Sequence, residues 1–568
     1  MIPAILQYAL FIAIVTALVP PLGAFQARVF AGERTFLDPV LRPVERIIHR
    51  LCGIDPAADM SWQEYARGFV LLAGVGTLLL YLILRAQQWL PFARNFPAIT
   101  TPMTPDLAAT TAISFSTTST WQAYGGETTM TYFTQLVGLA AQNFIAGATG
   151  LAVGIAFIRG LARERSCGIG NFWVDVVRAT LWVLLPLSIL GGLILVWQGV
   201  PMTVSPYRTF STLEGARQTF AVGPVAALEF IKQLGTNGGG FFNANGAHPF
   251  ENPTPLSNFI EMLAIAALPA SLTFTFGRMT GRRRDGWVLY GVMSALFVAA
   301  IGIAHHAEQT GSSTVAHAVG TASAANMEGK EVRFGVGGSV LAAVVTSNGA
   351  TGSTNSAHDS FTPVGGAVPL MNMLLGEIVF GGLGTGLVSI VLVALLGVFI
   401  TGLMIGRTPE YLGKQLGPPE VKLIMLYSLA APAVILVLTA IAAVTPAGLA
   451  GLTTNSGSHG FTEILYAYAS SFANNGQAFA GLSANAPFYN ATTAIAMMAG
   501  RFALVVPALA LAGQFARARR RDNAGALSTG SVLFGGVVLA TAVIVGALTF
   551  LPAIAIGPVA EQLTMLNR

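Results

Sequence analysis

The sequence predicts an all-α polytopic membrane protein with ten transmembrane helices. Eight of them fall into four repeats of span, re-entrant half-helix, polar loop and span, in a pseudo-fourfold arrangement. Three observations predict this. Of 568 residues, 53% are apolar and only 10% are Asp, Glu, Lys or Arg, whereas soluble domains carry roughly 25% charge. So few charges cannot cover a soluble surface. Apolar runs long enough to cross about 30 Å of hydrocarbon recur ten times. Four short loops rich in Gly, Ser, Thr and Asn interrupt the chain, each between two such runs.

The chain starts apolar, from Ile2 to about Phe25, without the basic leader of a secretory signal, and 1–25 is read as a retained first span. The ten apolar runs lie near 3–24, 64–87, 129–157, 176–200, 257–277, 287–306, 374–402, 422–445, 489–515 and 529–555. The whole of 1–568 is one transmembrane domain, with repeats at 64–157, 176–277, 287–402 and 422–515 and a last span at 529–555. Ahead of each polar loop lies an apolar stretch too short to span: 105–115, 223–235, 333–346 and 461–473. Pro105-Asp106, Pro224 and Thr462-Glu463 are helix starts for three of them, and the third has no clear start.

Basic residues set the orientation. One set of inter-span turns holds Arg28, Arg34, Arg42, Arg46, Arg50, Arg159, Arg163, Arg165, Arg178, Arg278, Arg282, Arg283, Arg284, Arg407, Lys414, Lys422, Arg517, Arg519, Arg520 and Arg521, which is 20 of the 30 Lys and Arg. The opposite loops hold seven: Arg85, Arg94, Arg208, Arg217, Lys232, Lys330 and Arg333. The rich set is expected in the cytoplasm, which puts both termini and all four polar loops outside. Cys52 and Cys167 then fall in cytoplasmic turns as reduced thiols. The net charge of +5 is small for this length, and no basic stripe suits nucleic acid.

The loops read Ser116-Thr117-Thr118-Ser119-Thr120-Trp121, Thr236-Asn237-Gly238-Gly239-Gly240, Thr346-Ser347-Asn348-Gly349-Ala350-Thr351-Gly352 and Ser471-Phe472-Ala473-Asn474-Asn475-Gly476. Such backbone cannot face lipid, where its polar groups would be unpaired. It can line a watery path, where carbonyls and hydroxyls replace an ion's hydration shell. Each repeat then reads span, pore helix, filter, span, with the negative end of the pore helix aimed at the axis. The candidate ligands are Thr118 and Ser119, Gly238 and Gly239, Thr351 and Gly352, and Asn474 and Gly476. None is anionic, which suits a weakly hydrated monovalent cation, and composition does not separate potassium from sodium.

Beside the loops, Trp121, Gln122, Asn243, Asn245, His248, Glu251, Asn252, Asn355, His358 and Asp359 are expected to brace them by hydrogen bonds. That reading is preferred to acid/base chemistry at His358-Asp359 or a metal at His248 and Glu251. Phe241 and Phe242 either pack behind the loop or narrow the path. Arg501 lies inside an apolar run, where it either repels cations below the loops or pairs with a buried acid. Arg407 sits where the seventh run leaves the membrane. Gly381, Gly382, Gly384, Gly386 and Gly397 either bend that run into a gate or let helices approach closely. There is no Gly-x-x-x-x-Gly-Lys-[Ser/Thr] loop and no Asp-Lys-Thr-Gly run, so no catalytic site is expected on this chain.

Five stretches together resemble one family over essentially the whole chain. They are Thr236 through Asn245, His248 through Thr254, His358-Asp359-Ser360, Gly406 through Gly413, and Asn474-Asn475-Gly476. The family is the potassium-binding, channel-like subunit of the bacterial Kdp potassium-importing ATPase (KdpA). The resemblance implies a fold like the Trk/Ktr/HKT transporters, K+ as the transported ion, and no organic cofactor. It also implies a bacterial inner-membrane complex with a P-type ATPase subunit, a periplasm-facing accessory subunit and a small single-span subunit. Potassium would enter the filter from the periplasm and pass through an intramembrane tunnel to the ATPase subunit. By motif, Thr118, Gly238, Gly352, Asn474 and Gly476 fall at filter positions, and Phe241, Arg407 and Arg501 at conduction or coupling positions. The first loop departs from the family: Thr118-Ser119-Thr120-Trp121-Gln122 stands where Asn-Thr-Asn-Trp-Gln is common. In the third loop, Thr351 stands where some members have Cys. The alternative is a stand-alone potassium channel or cation symporter of the same superfamily.

Overall fold

A computed structural model describes residues 2–92, 101–311, 320, 325–520 and 528–566. Arg94 and Arg521, counted above among the loop charges, lie outside them. Among the described residues, ten helices are long and apolar enough to cross a membrane. They are Ile2–Ala31, Trp62–Trp89, Thr134–Ala162, Phe172–Gln198, Pro255–Met279, Arg283–Thr310, Thr385–Met404, Pro418–Val444, Pro487–Arg517 and Val532–Leu566. The four re-entrant helices are Pro105–Ser116, Val225–Leu234, Gly335–Asn348 and Gly457–Ala473.

Burial sorts the spans into two rings. In the second span of each repeat, 61–83% of the apolar window is buried, against 17–44% in the first spans. The second spans therefore form the centre and the first spans face lipid. Local chemistry starts several of these helices. Ser61 and Glu64 form a capping box before Trp62. Thr104 accepts from Leu107 N, with Pro105 opening the first re-entrant helix. Thr254 accepts from Ser257 N at 3.0 Å before Pro255.

Four boundaries differ from the sequence expectation. The fourth re-entrant helix starts at Gly457, so Thr462 and Glu463 lie inside it. The third starts at Gly335, whose φ of +62° is open to glycine. The last span continues past 555 through a kink at Gly557 to Leu566. The seventh run, expected as one helix over 374–402, is helical only over Thr385–Met404; residues 375–384, which follow a separate helix Pro363–Leu374, are not helical. Between them Glu377, Phe380, Gly382 and Gly384 take positive φ. Gly382 N donates to Gly349 O at 3.1 Å, and Leu383 N to Thr236 Oγ1 at 3.0 Å. Ile378, Val379, Phe380 and Leu383 are apolar and buried, so hydropathy runs straight through the break. Both uses foreseen for the glycines are observed: the chain is unwound at 381–384, and Gly384 packs directly on Gly150 and Gly154 of the third span.

The end of the molecule opposite the re-entrant helices carries the basic turns. There, Glu45–Arg178 (2.8 Å) and Asp59–Arg163 (2.8 Å) hold the first turn and its helix, Asp38–Leu51, against the bundle, and Arg159, paired with Asp175 (2.5 Å), donates to Phe30 O (2.9 Å). Asn171 Nδ2 also donates to Asp55 O and Ala58 O. The turn thus packs back on the spans. Cys52 and Cys167 are exposed and free.

Candidate functional site

The four polar loops share one backbone register. Positive φ occurs at Thr118 and Thr120, at Thr236 and Gly238, at Ala350 and Gly352, and at Asn474 and Gly476. Between them stand Ser119, Asn237, Thr351 and Asn475, all fully buried and of the ordinary hand. Alternating hands turn consecutive peptide units, and a loop lined by backbone carbonyls in this way can replace an ion's hydration shell. Each loop is also anchored five or six residues back in its own re-entrant helix: Thr120 N to Ser114 O (3.1 Å), Gly238 N to Lys232 O (3.0 Å), Thr351 N to Thr346 O (3.2 Å) and Asn475 N to Ser470 O (3.0 Å). The four C-terminal helix ends, with their partial negative charge, therefore meet at one place.

The register also closes the ring. A Cβ on Gly238 would overlap the Thr351 carbonyl oxygen, one on Gly352 the Asn475 oxygen, and one on Gly476 the Ser119 oxygen. Glycine at these positions meets two demands together, positive φ and the approach of a neighbour's carbonyl. The fourth junction has no glycine: the Thr120 hydroxyl donates to the Asn237 carbonyl. The loops thus follow one another in a single rotational sense, 1 to 2 to 3 to 4 to 1. One sequence expectation shifts here. The residue equivalent to Gly238, Gly352 and Gly476 is Thr120, whereas Thr118 matches Thr236, Ala350 and Asn474 at the ends of the re-entrant helices.

Loop 2 has the strongest brace. Lys232 is 0% exposed inside its half-helix and pairs with Glu229 at 2.7 Å and with Glu251. Glu251 also accepts from Phe242 N at 2.7 Å, tying the segment after the loop to the helix before it. Glu261, fully buried, finds no donor among the described residues. Lys232, counted above as a loop charge, is therefore a core residue. Lys330 likewise pairs with Glu308 at 2.7 Å with no exposed side chain. Gln122 spans loops 1 and 2, accepting from Gly240 N (2.9 Å) and donating to Gly240 O (3.0 Å). In loop 4, Asn474 Nδ2 donates to Ser119 Oγ (2.8 Å) and Met497 O (2.9 Å), and Asn475 Nδ2 to the buried Glu377 (2.7 Å).

Above the ring lies a vestibule of about 720 Å³ whose walls include Thr120, Gln122, Gly239, Gly352 and Gly476. Below it lies a chamber of about 30 Å³, bounded by Thr118, Thr236, Ala350, Asn474, Gly382, Leu383 and Arg501. One water needs roughly 10–15 Å³ on this measure, so the chamber holds about two waters or one bare ion. Arg501 donates to Thr118 Oγ1 and Thr149 Oγ1, both at 3.1 Å, and lies 5.3 Å from the Phe69 ring centre. No carboxylate pairs with it among the described residues, so the buried-acid alternative fails there. Gly382 and Leu383, at the end of the broken segment 375–384, bound the chamber, and Glu377 lies earlier in the same segment. Sequence reading missed this acid because it sits inside a run read as one helix.

Two candidates lie away from this path. Phe241 is buried against Tyr132 and Phe242, and lines neither vestibule nor chamber. Arg407 is exposed at the basic end, its N donating to Gly402 O at 2.9 Å. Of the expected braces, Gln122, Glu251, Asn252 and Asn355 hydrogen-bond around the loops, whereas Asn245 Oδ1 is buried with no partner among the described residues. His248 stacks on Phe242 with centroids 3.8 Å apart, while Glu251 is engaged by Lys232, so the two do not form a metal pair. His358 is buried and meets Tyr466 at 3.2 Å, and burial, with the Lys330 charge second, pushes its imidazole down to about 3. Asp359 instead meets His459 Nε2 at 2.8 Å, and His459 Nδ1 meets Glu561 at 2.7 Å. Burial alone would lower His459, but the two carboxylates outweigh it and raise it to about 10. Asp359, His459 and Glu463 come together, with both His459 ring nitrogens already hydrogen-bonded to Asp359 and Glu561.

The family model for the potassium-transporting ATPase A subunit matches residues 9–563. The chain belongs to this family. Among its A-subunit relatives, the potassium-transporting ATPase potassium-binding subunit of Methylobacterium radiotolerans is 52% identical over 98% of this chain and 97% of its own. The Bradyrhizobium diazoefficiens protein of the same name is 51% identical over 99% and 98%, and that of Koribacter versatilis 48% over 98% and 98%. In fold, the A-subunit chain is similar to the crystal structure of the potassium transporter TrkH from Vibrio parahaemolyticus. The TM-score is 0.50 at 14% identity, covering 89% of this chain and 96% of the other.

Proposed function

We propose that this chain is the potassium-binding and translocating subunit of an ATP-driven uptake complex in the bacterial inner membrane. The single observation that carries the reading is the ring itself. Four loops in one backbone register bring neutral oxygens together, and no carboxylate stands among them. A cage of carbonyls replaces the water of a weakly hydrated monovalent ion, where a divalent ion would call for anionic ligands. The ligands are the backbone oxygens around Ser119, Asn237, Thr351 and Asn475, with Thr118, Gly238, Gly239, Gly352, Asn474 and Gly476 shaping the cradle.

K+ enters the vestibule from the periplasm, sheds water in the ring and reaches the chamber. Two features oppose onward leak. The guanidinium of Arg501 repels a cation arriving in the chamber, and Gly382 and Leu383 of the broken segment wall it off. The asymmetry of basic turns supports periplasmic termini. It strengthens once Lys232 and Lys330 are taken as ion-paired core residues rather than loop charges. ATP hydrolysis is assigned to a P-type ATPase partner, alongside a periplasm-facing and a single-span subunit. The test is ATPase activity of the complex purified with its native membrane partners, titrated with KCl and then NaCl. Stimulation by micromolar potassium and little by millimolar sodium is expected. Passive potassium flux through the chain alone, with no ATPase partner, would overturn the pump assignment in favour of a channel or symporter.

A further inference from the structure

Three junctions of the ring are glycine against carbonyl. The fourth is a side chain. Thr120 is 1% exposed and holds φ of +47°, a conformation that a β-branched residue adopts only when its surroundings impose it. Its hydroxyl donates to the carbonyl of Asn237, the oxygen equivalent to those of Ser119, Thr351 and Asn475. A Cβ on Gly239 would lie 3.3 Å from Thr120 Cβ, so the side chain is wedged between loops 1 and 2.

Resting on the reading of these loops as the cation filter, we propose that the Thr120 hydroxyl is a selectivity-setting strut. Two effects act in the same sense. By bonding to Asn237 O it ties loop 1 to loop 2, so the ring cannot close in on an ion smaller than potassium. It also occupies one lone pair of that oxygen, which weakens the field at one corner of the ring. Stiffness and a weaker field both disfavour sodium, whichever governs selectivity. Among the described residues no donor reaches the carbonyls of Ser119, Thr351 or Asn475, so the ring has three unshared carbonyls and one shared one. No sequence motif marks this, because loop 1 lacks the glycine that identifies the equivalent place in the other loops.

The test is the melting temperature of the purified full-length chain in detergent, titrated with KCl and separately with NaCl, with choline chloride holding ionic strength constant. Ligand binding raises the melting temperature by mass action, so each titration gives a half-effect concentration. Thr120→Val keeps the shape and removes the hydroxyl. It is expected to lower the ratio of sodium to potassium half-effect concentrations at least tenfold, and Thr120→Gly to do the same. Thr120→Ser should stay within twofold of the parent chain. Gly352→Ala, which drives a Cβ into Asn475 O, is the control for the ring and should abolish the potassium response. If Thr120→Val and Thr120→Gly keep the parental ratio while Gly352→Ala loses the response, the strut is refuted and the filter stands. If all variants, Gly352→Ala included, respond like the parent, the filter reading falls and the strut with it.

Discussion

Lys232→Met tests whether a buried ion cluster holds the second loop in place. The ammonium is fully enclosed, 2.7 Å from Glu229 and bonded to Glu251, with the undonated Glu261 in the same buried region. Removing it leaves buried carboxylates uncompensated, and breaking such a pair costs about 3–5 kcal/mol. An unfolding entropy of about 2.1 cal/mol/K per residue, over 568 residues, converts this to a fall of roughly 2.5–4 °C in melting temperature. The damage should also reach the ring. Lys232 O accepts from Gly238 N and Asn237 N, and Glu251 holds Phe242 N, so both flanks of the loop loosen. The assay is thermal unfolding in detergent, with and without saturating KCl. The KCl-induced rise should shrink along with the baseline. Lys232→Met combined with Glu251→Gln should cost less than the sum of the two single changes, because the double variant no longer strands the carboxylate. A Lys232→Met chain that melts within about 1 °C of the parent, well short of the fall worked out above, with its full KCl response, would refute the argument.

Three further outcomes follow from the geometry. Gly476→Ala places a Cβ on the Ser119 oxygen at φ of +80°; the potassium response should be lost, and ATPase stimulation by KCl in the purified complex checks it. Lys414→Met removes an ammonium that collects Leu161 O (2.9 Å), Phe515 O (2.7 Å), Gly160 O (3.2 Å) and Arg163 O. Leaving these buried acceptors without their donor should cost about 1–3 kcal/mol each where water cannot reach, read as a lower melting temperature and faster proteolysis at the basic end. His459, raised to about 10 by Asp359 and Glu561 against its burial, stabilises the fold fully below the unfolded imidazole value of about 6.5. That contribution is lost as pH rises towards 10. His459→Gln should flatten the melting-temperature profile between pH 6.5 and 10.

Most of the architecture was legible from composition and punctuation. Ten apolar runs, four polar loops and the crowding of Arg on alternate turns are first-order signals, and the ten spans follow them. What escaped has physical causes. The break at 375–384 is invisible to hydropathy because Ile378, Val379, Phe380 and Leu383 are as apolar as the helices around them. Lys232 looked like a loop charge because a half-helix of ten residues is too short to show a periodic face. The register of loop 1 was misplaced by two residues. Glycine marks the ring position at 238, 352 and 476, and threonine at 120 carries no such mark. The placement of Ser119, Thr351, Asn474 and the glycines in one cluster was readable from their composition. Their order around the ring required the carbonyl each glycine faces.

A channel of four identical subunits closes by symmetry, but a single chain has to close by sequence. Here the seam falls between the first and fourth repeats. Arg501 meets Thr118 and Thr149, Asn474 meets Ser119, Asn490 meets Asp106 at 2.9 Å, and Lys414 joins the ends of two spans. Arg501 and Thr118 are separated by 383 positions. At synthesis rates of about 5–20 residues per second, Thr118 waits roughly 20–80 s in the bilayer before its partner emerges. For that interval the nascent molecule is an open arc, with undonated carbonyls and hydroxyls along its free edge. Assembly quality control thus has a defined clock and a defined lesion: a chain that stalls before its last quarter presents an unsealed polar edge to lipid.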